Sequence, residues 1–312
     1  MVITVTLNPA LDKTLTIDGL ETGGVNRVTS VRQDIGGKGI NVSKVLREFG
    51  VDSICTGFLG GILEDVFRKE LEKRGIQADF VSVEGSTRTN IKIVDVMKDE
   101  YTDINEPGAV ISDKELEAFL TKFETLVREG DIVVLSGGVS PSVPKDIYRK
   151  LTELSKARGA YVLVDAEGPL LEEALKAKPD VIKPNDRELS MLIGKEIGSD
   201  EEILDAARQL RMQGIGKVLV SLGGDGSLLV TEDGALRAKG LKVPVKSTVG
   251  AGDSMVAALV YAKLKGMTDK ETLGFAQASG AATVMLEGTK ACTLDQVESL
   301  LEESESKIME VE

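Results

Sequence analysis

The chain has 312 residues, of which 42% are hydrophobic and 29% charged, enough for a full core and ordinary for a globular protein. A formal net charge of −13 argues against a nucleic-acid surface, which needs a concentrated basic face, although a local cation cluster still permits a small anionic ligand. There is no histidine, so Ser-His-Asp, Cys-His and His-metal chemistry is excluded and proton transfer falls to Asp, Glu, Lys, Tyr or Cys.

Val2 to Leu7 reads as a strand at once, with no basic n-region before it. No apolar run approaches the ~18 residues of a membrane span. Cys55 and Cys292 lie far apart in apolar runs with no metal spacing, the usage of a reducing compartment, and a cytoplasmic location is expected. The strand ends at Asn8-Pro9-Ala10-Leu11-Asp12, which puts Asp12 just past a carboxyl end, where open α/β sheets carry ligands. Lys13 to Ile17 and Arg27 to Gln33 alternate and predict a hairpin apart from the main sheet.

Next comes Gly36-Gly37-Lys38-Gly39-Ile40-Asn41, followed by an apolar stripe at helical spacing that Gly50 closes. It is neither a Walker loop nor G-x-G-x-x-G. Its content is a backbone that a ligand can approach, one cation in Lys38 and one amide in Asn41; a plain tight turn fits it equally.

Strands and helices then alternate: Ser53 to Leu59, a helix to Gly75, and a strand around Phe80 to Val83. Thr89 to Val96 and Tyr101 to Asn105 predict a second hairpin with Arg88 at its entrance. The two hairpins together supply about four short strands, enough for a small lid sheet. A helix over 113–129, strands over 132–135 and 161–164, and Val181-Ile182 continue the rhythm, which implies a mostly parallel sheet covered on both faces. Right-handed crossovers bring Asp12, Ser136-Gly137-Gly138, Asp165 and Lys183 to Glu188 to one edge.

Within that edge Asn185 and Glu188 have capping-box spacing, and they equally suit water-mediated Mg²⁺. Gly223-Gly224-Asp225-Gly226 is a tight turn after the strand over 218–222. Leu241 to Val245 alternates as a short strand, and the turn Ser247-Thr248-Val249-Gly250-Ala251-Gly252-Asp253-Ser254 opens a helix. Small residues there let an anion reach unpaired helix N–H groups, and Asp253 is positioned to take a proton from an attacking hydroxyl; as an alternative, Asp253 is a helix cap. From Thr268 onward three helical segments are expected, with residues 302–312 frayed.

Gly36 to Val42, Lys183-Pro184-Asn185 with Glu188, and Ser247 to Asp253 together resemble the ribokinase-like PfkB carbohydrate kinases over essentially the whole chain. Thr6 to Asp12 and Val25-Asn26-Arg27 are similar to the hexose-phosphate branch, the 1-phosphofructokinases and tagatose-6-phosphate kinases. Two stretches differ from the family: Ser136-Gly137-Gly138-Val139-Ser140 replaces a usual Ser-Gly-Ser-Leu-Pro, and Ser247 and Met255 stand where ribokinases usually carry Asp and Phe.

The resemblance implies a three-layer α/β/α sandwich with a mostly parallel central sheet and a small β lid. It implies one kinase domain over 1–312, with lid strands inserted at about 13–33 and 88–105. Asp253 becomes the base, and Gly250, Ala251 and Gly252 the anion hole. Asp12, Arg27, Gly37, Lys38, Asn41 and Arg88 match substrate contacts, with Arg27, Lys38 and Arg88 on the substrate's own phosphate. Lys183, Asn185, Ser221, Gly223, Gly224, Asp225, Gly226 and Gly252 match the ATP site, and Asn185 and Glu188 the Mg²⁺ site through water. The implied partners are a sugar phosphate and ATP, and a second copy of the chain joined through the lid. Fructose 1-phosphate is the expected substrate, tagatose 6-phosphate the rival, and a non-catalytic sugar-phosphate sensor the reading from another class.

Overall fold

The structure, a computed structural model, describes residues 1–311. The chain opens with β1 (Val2–Thr6), sends out β2 (Ala10–Ile17) and β3 (Val28–Gly36), and returns through α1 (Lys38–Glu48) to β4 (Ser53–Gly60). Helix α2 (Leu63–Lys73) and the short β5 (Gln77–Ala78) and β6 (Val81–Val83) lead to a second excursion, β7 (Arg88–Asp95) and β8 (Glu100–Asn105). Alternation resumes with α3 (Asp113–Leu126), β9 (Ile132–Ser136), α4 (Ile147–Ala157), β10 (Tyr161–Asp165), α5 (Gly168–Lys176) and β11 (Val181–Ile182). Then come α6 (Asp186–Ile193), α7 (Asp200–Met212), β12 (Lys217–Ser221), β13 (Gly226–Val230) and β14 (Ala235–Lys239). Helices α8 (Ala251–Lys265), α9 (Asp269–Val284) and α10 (Leu294–Ser306) precede β15 (Ile308–Val311).

Among the described residues the large sheet has eleven strands, ordered β15-β14-β13-β12-β11-β10-β9-β1-β4-β5, with β6 also on β4. From β12 to β5 the neighbours are parallel, and β13, β14 and β15 add an antiparallel edge. Strands such as β1 and β9 are buried along their whole length, as a sheet covered on both faces demands. Side chains of alternate parity feed two cores: Ile3, Val5, Val133 and Leu135 meet the helices α3 to α7, while Val2, Val134 and Leu163 meet α1, α8, α9 and α10. Helix α2 packs beside α1 on Ile40, Cys55 and Leu59.

The two excursions form a separate four-stranded sheet, β3-β2-β7-β8. Each hairpin is antiparallel, and a parallel β2–β7 ladder joins them, with Ala10 opposite Arg88 and Asp12 opposite Asn90. Asp12 therefore sits inside a strand of the small sheet rather than in the turn that follows β1.

Three local expectations are corrected. Leu241 to Val245 forms no strand: after Gly240 the chain leaves the sheet, and its alternate residues Leu241, Val243 and Val245 face the main cleft, so the period of two reflects a cavity wall. The strand before that turn is β14, in which Arg237 and Lys239 interrupt the apolar pattern. Beyond Thr268 there are two helices and a strand, and residues 308–311 do not fray but pair with β14, Ile308 opposite Ala238.

Candidate active site

One cleft of about 920 Å³ opens along the carboxyl ends of the parallel strands, under the small sheet. Its floor is the start of α8. Gly250 serves as N-cap at φ 85°, in the left-handed region that a side chain disfavours, and it offers the helix no capping group. The N–H groups of the first turn thus lack intrahelical partners, and Gly250, Ala251, Gly252 and Asp253 line the cleft. Asp253 is the third residue of the helix, so the capping alternative does not hold. Its carboxylate, only 6% exposed, accepts from Asn41 Nδ2 at 2.8 Å.

Asn41 reaches Asp253 because α1 lies tight against β1. A Cβ at Gly39 would stand 2.6 Å from the Val5 carbonyl oxygen, which only glycine tolerates. Buried hydroxyls of Thr4, Ser43 and Ser53 bond across the same seam.

Beside this pair, Asp165 at the end of β10 is held between two ammonium groups, Lys183 at 3.3 Å and Lys38 at 3.5 Å. Burial pushes Asp165 up, but Lys183 and Lys38 outweigh it and keep its pKa below the usual carboxylate value. Asp165 in turn raises Lys38 above its ordinary value. Burial, and secondarily the Asp165 charge, lift Asp253 to about 6 despite Lys38, Asn41 and Lys183. A carboxylate near pKa 6 is ionised at neutral pH yet basic enough to accept a proton.

At the small-sheet end the cleft is lined by Asp12, Asn90 and Arg88, with Gly37 and Lys38 opposite. Asn90 Nδ2 donates to Asp12 Oδ1 at 3.1 Å. Arg88 spends two N–H groups on carbonyl oxygens, Glu106 O at 3.0 Å and Asn8 O at 3.2 Å, so its charge is not neutralised by them. Arg88 Nε and Asn90 Oδ1 are buried with no partner, polar atoms that a bound ligand would satisfy.

Arg27 is corrected: it is exposed in the β2–β3 connection and does not line the cleft. Its neighbour Val28 pairs with Ile17, five residues along β2 from Asp12, which puts roughly 16 Å of strand between them.

At the other end Lys183, Asn185, Glu188, Ser221, Gly223, Gly224 and Gly226 line the cleft. Asp225 does not; it turns to a separate cavity with Asp200 and Arg237, because the 3₁₀ turn over Gly223–Asp225 points it outward. Asn185 and Glu188 do form a capping box: Asn185 Oδ1 accepts from the Glu188 N–H at 2.8 Å, and Glu188 Oε2 accepts from the Asn185 N–H at 2.9 Å. That leaves Glu188 Oε1 uncommitted on a buried carboxylate whose pKa burial raises. Leu241, Val243 and Val245 with Ala281 and Val284 add an apolar wall that suits a flat ring.

Asn90, Asp165 and Gln277 belong to the cleft although none was singled out as a site residue. No sequence signal marked Asn90, because the β2–β7 register that sets it opposite Asp12 is not local, whereas Asp165 already stood on the expected ligand edge at the end of a strand. Gln277, inside a buried helix, carried no signal. Among the described residues no group of three His, Cys, Asp or Glu side chains gathers to hold a metal, and no helix is long and apolar enough to cross a membrane.

Known proteins align with this architecture along its length. The pfkB family carbohydrate kinase pattern matches residues 5–296. A 1-phosphofructokinase of Bacillus subtilis is 38% identical over 287 residues, 92% of this chain and 93% of its own. One from Haemophilus influenzae is 37% identical over 311 residues, 99% of each chain. Among solved structures, a possible 1-phosphofructokinase from Thermotoga maritima superposes with a TM-score of 0.89 at 31% identity, covering 100% of both chains. Phosphofructokinase-2 from Escherichia coli in complex with substrates and products gives a TM-score of 0.92 at 27% identity, over 97% of this chain and 99% of that one.

Proposed function

Because the chain belongs to the pfkB family of carbohydrate kinases, we propose that it transfers the γ-phosphoryl group of ATP to fructose 1-phosphate, giving fructose 1,6-bisphosphate. The observation that carries this is a single buried carboxylate, Asp253, on an uncapped helix start between an apolar, glycine-rich end and a polar end with an un-neutralised arginine. The names of the curated relatives support the same substrate. Retention of Asp253 and of the small-residue turn speaks against a non-catalytic sensor.

In this reaction Asp253 takes the proton of the acceptor hydroxyl as its oxygen attacks phosphorus. The N–H groups of Ala251, Gly252 and Asp253 stabilise the charge on the moving phosphoryl group, where helix N-termini favour anions. Such electrostatic help and positioning dominate, since phosphoryl transfer leaves little covalent work to the protein. Asp12 and Asn41 hold sugar hydroxyls, and Lys183 with the glycines at 223, 224 and 226 faces the nucleotide. The free oxygen of Glu188, beside Asn185, suits a water-mediated Mg²⁺ that needs few protein ligands; when bound, the ion neutralises polyphosphate charge.

Arg88 faces the phosphate already on the sugar. Its unpartnered Nε is the donor that phosphate would satisfy, whereas Lys38 is drawn to Asp165. A charge-assisted bond contributes roughly 1.5–3 kcal/mol, so Arg88→Ala should raise KM for fructose 1-phosphate by ~10-fold or more. Unphosphorylated fructose should be a poor substrate for both proteins, with little difference between them. Normal KM for the phosphorylated sugar would make Arg88 a strut of the small sheet only.

A further inference from the structure

Lys44 is the most deeply buried ammonium outside the residues assigned above, at 4% exposure on α1. It lies one turn beyond Asn41, on the same helix face. Its Nζ donates to the Ile35 carbonyl oxygen and, at 3.2 Å, to Asn41 Oδ1. No carboxylate stands within bonding distance to neutralise it. Burying a charge on these terms is unfavourable, and a methionine would fill the same volume without the penalty. The charge therefore has to be explained by what it touches.

It touches the far end of the amide that holds Asp253. Asn41 Nδ2 donates to Asp253 Oδ2 at 2.8 Å while Asn41 Oδ1 accepts from Lys44. A flipped amide would put oxygen against carboxylate at one end and N–H against ammonium at the other. An ammonium has three donors and no acceptor, so it permits only the observed direction. We propose that Lys44 is a positioning residue for the phosphoryl-transfer base: by donating to Asn41 Oδ1 it fixes the amide so that Nδ2 orients the Asp253 carboxylate toward the acceptor hydroxyl.

The surroundings agree with this role. Burial and then the Arg74 charge just past the end of α2 lower the Lys44 pKa to about 8, against Asp34 of β3, Asp12 of β2 and Asp253 of α8, so Lys44 is charged at neutral pH. Around Asp253 the charged neighbours are Asp165 of β10, Lys38 of α1 and Lys183 after β11. The Asn41 bond lowers the Asp253 pKa, so losing its direction should raise it.

The proposal rests on Asp253 being the base, and a double-mutant cycle separates the two. Lys44→Met, Asn41→Ala and the double variant are compared with wild type for kcat against pH and for KM of ATP. Lys44→Met should lower kcat by ~10-fold, move the acid limb upward by ~0.5–1 pH unit and leave KM for ATP within ~2-fold. Added to Asn41→Ala, it should cost less than ~2-fold more, because the amide it orients is gone. Equal fold losses in both backgrounds, or an unmoved acid limb, would overturn the proposal. If the methionine variant does not accumulate folded, Lys44→Gln, whose amide N–H can still donate to Asn41 Oδ1, should keep kcat within ~3-fold of wild type with the acid limb little moved, and a larger loss that is multiplicative with Asn41→Ala would overturn the proposal. Wild-type kcat in Asp253→Asn would overturn the base assignment and this proposal together; an inactive Asp253→Asn with multiplicative Lys44 losses overturns the proposal alone.

Discussion

Burial, with the neighbouring Asp165 charge, lifts Asp253 from 3.8 to about 6, and that shift is a stability term as well as a catalytic one. Between those values the folded state binds a proton that the unfolded chain has released, so stability falls as pH rises from below 4 to above about 6. The ionised carboxylate then costs on the order of 2–3 kcal/mol at neutral pH. Asp253→Asn should accordingly raise the melting temperature by a few degrees at pH 8 and by progressively less toward pH 4. In the same variant kcat should fall ~10²-fold or more with substrate affinity little changed. In the wild type the acid limb of kcat/KM, which reports the free enzyme, should lie near the Asp253 value of about 6. A pH-independent melting difference, together with near-normal kcat, would mean that Asp253 is neither strained by burial nor used as base.

The small sheet has two unlike faces because its register is fixed. Asp12, Asn90 and Arg88 share the face over the cleft, one residue out of phase with Leu15, Val31, Ile93 and Ile104. Val31 and Ile104 are 51% and 52% exposed, an unusual place for branched apolar residues on an edge-bearing sheet. A second copy of the chain covering that face is the proposed explanation. Replacing both by aspartate should convert a dimer to a monomer in sedimentation at micromolar concentration, and a wild-type monomer there would remove the proposal. Both hairpins were legible from alternation alone, but the parallel β2–β7 ladder was not. That ladder joins residues some 80 positions apart, and nothing local encodes it; hence Asn90 was missed beside Asp12. Leu241 to Val245 misled for a related reason, since alternation reports one apolar side without saying whether a sheet or a cavity meets it.

Across the whole molecule, the parallel sheet and its ligand edge were readable because buried βα units leave a strong apolar period and because glycine turns mark the strand ends. What the sequence withheld was pairing. Asp165 between Lys38 and Lys183, and Asn41 between Lys44 and Asp253, are contacts across up to 212 positions. Arg27 was placed with the other cations by its neighbours in sequence, whereas strand length carries it out of the cleft. At a net charge of −13, the proposed affinity for a sugar-phosphate dianion rests on Arg88, one of the cations that line the cleft. ATP consumption by the wild-type protein, followed side by side with fructose 1-phosphate, tagatose 6-phosphate, fructose 6-phosphate and fructose, bears on all of this at once. The expected result is a kcat/KM for fructose 1-phosphate at least ~10-fold above each of the others; turnover no faster with any ketohexose phosphate than with fructose, or none at all, would contradict it.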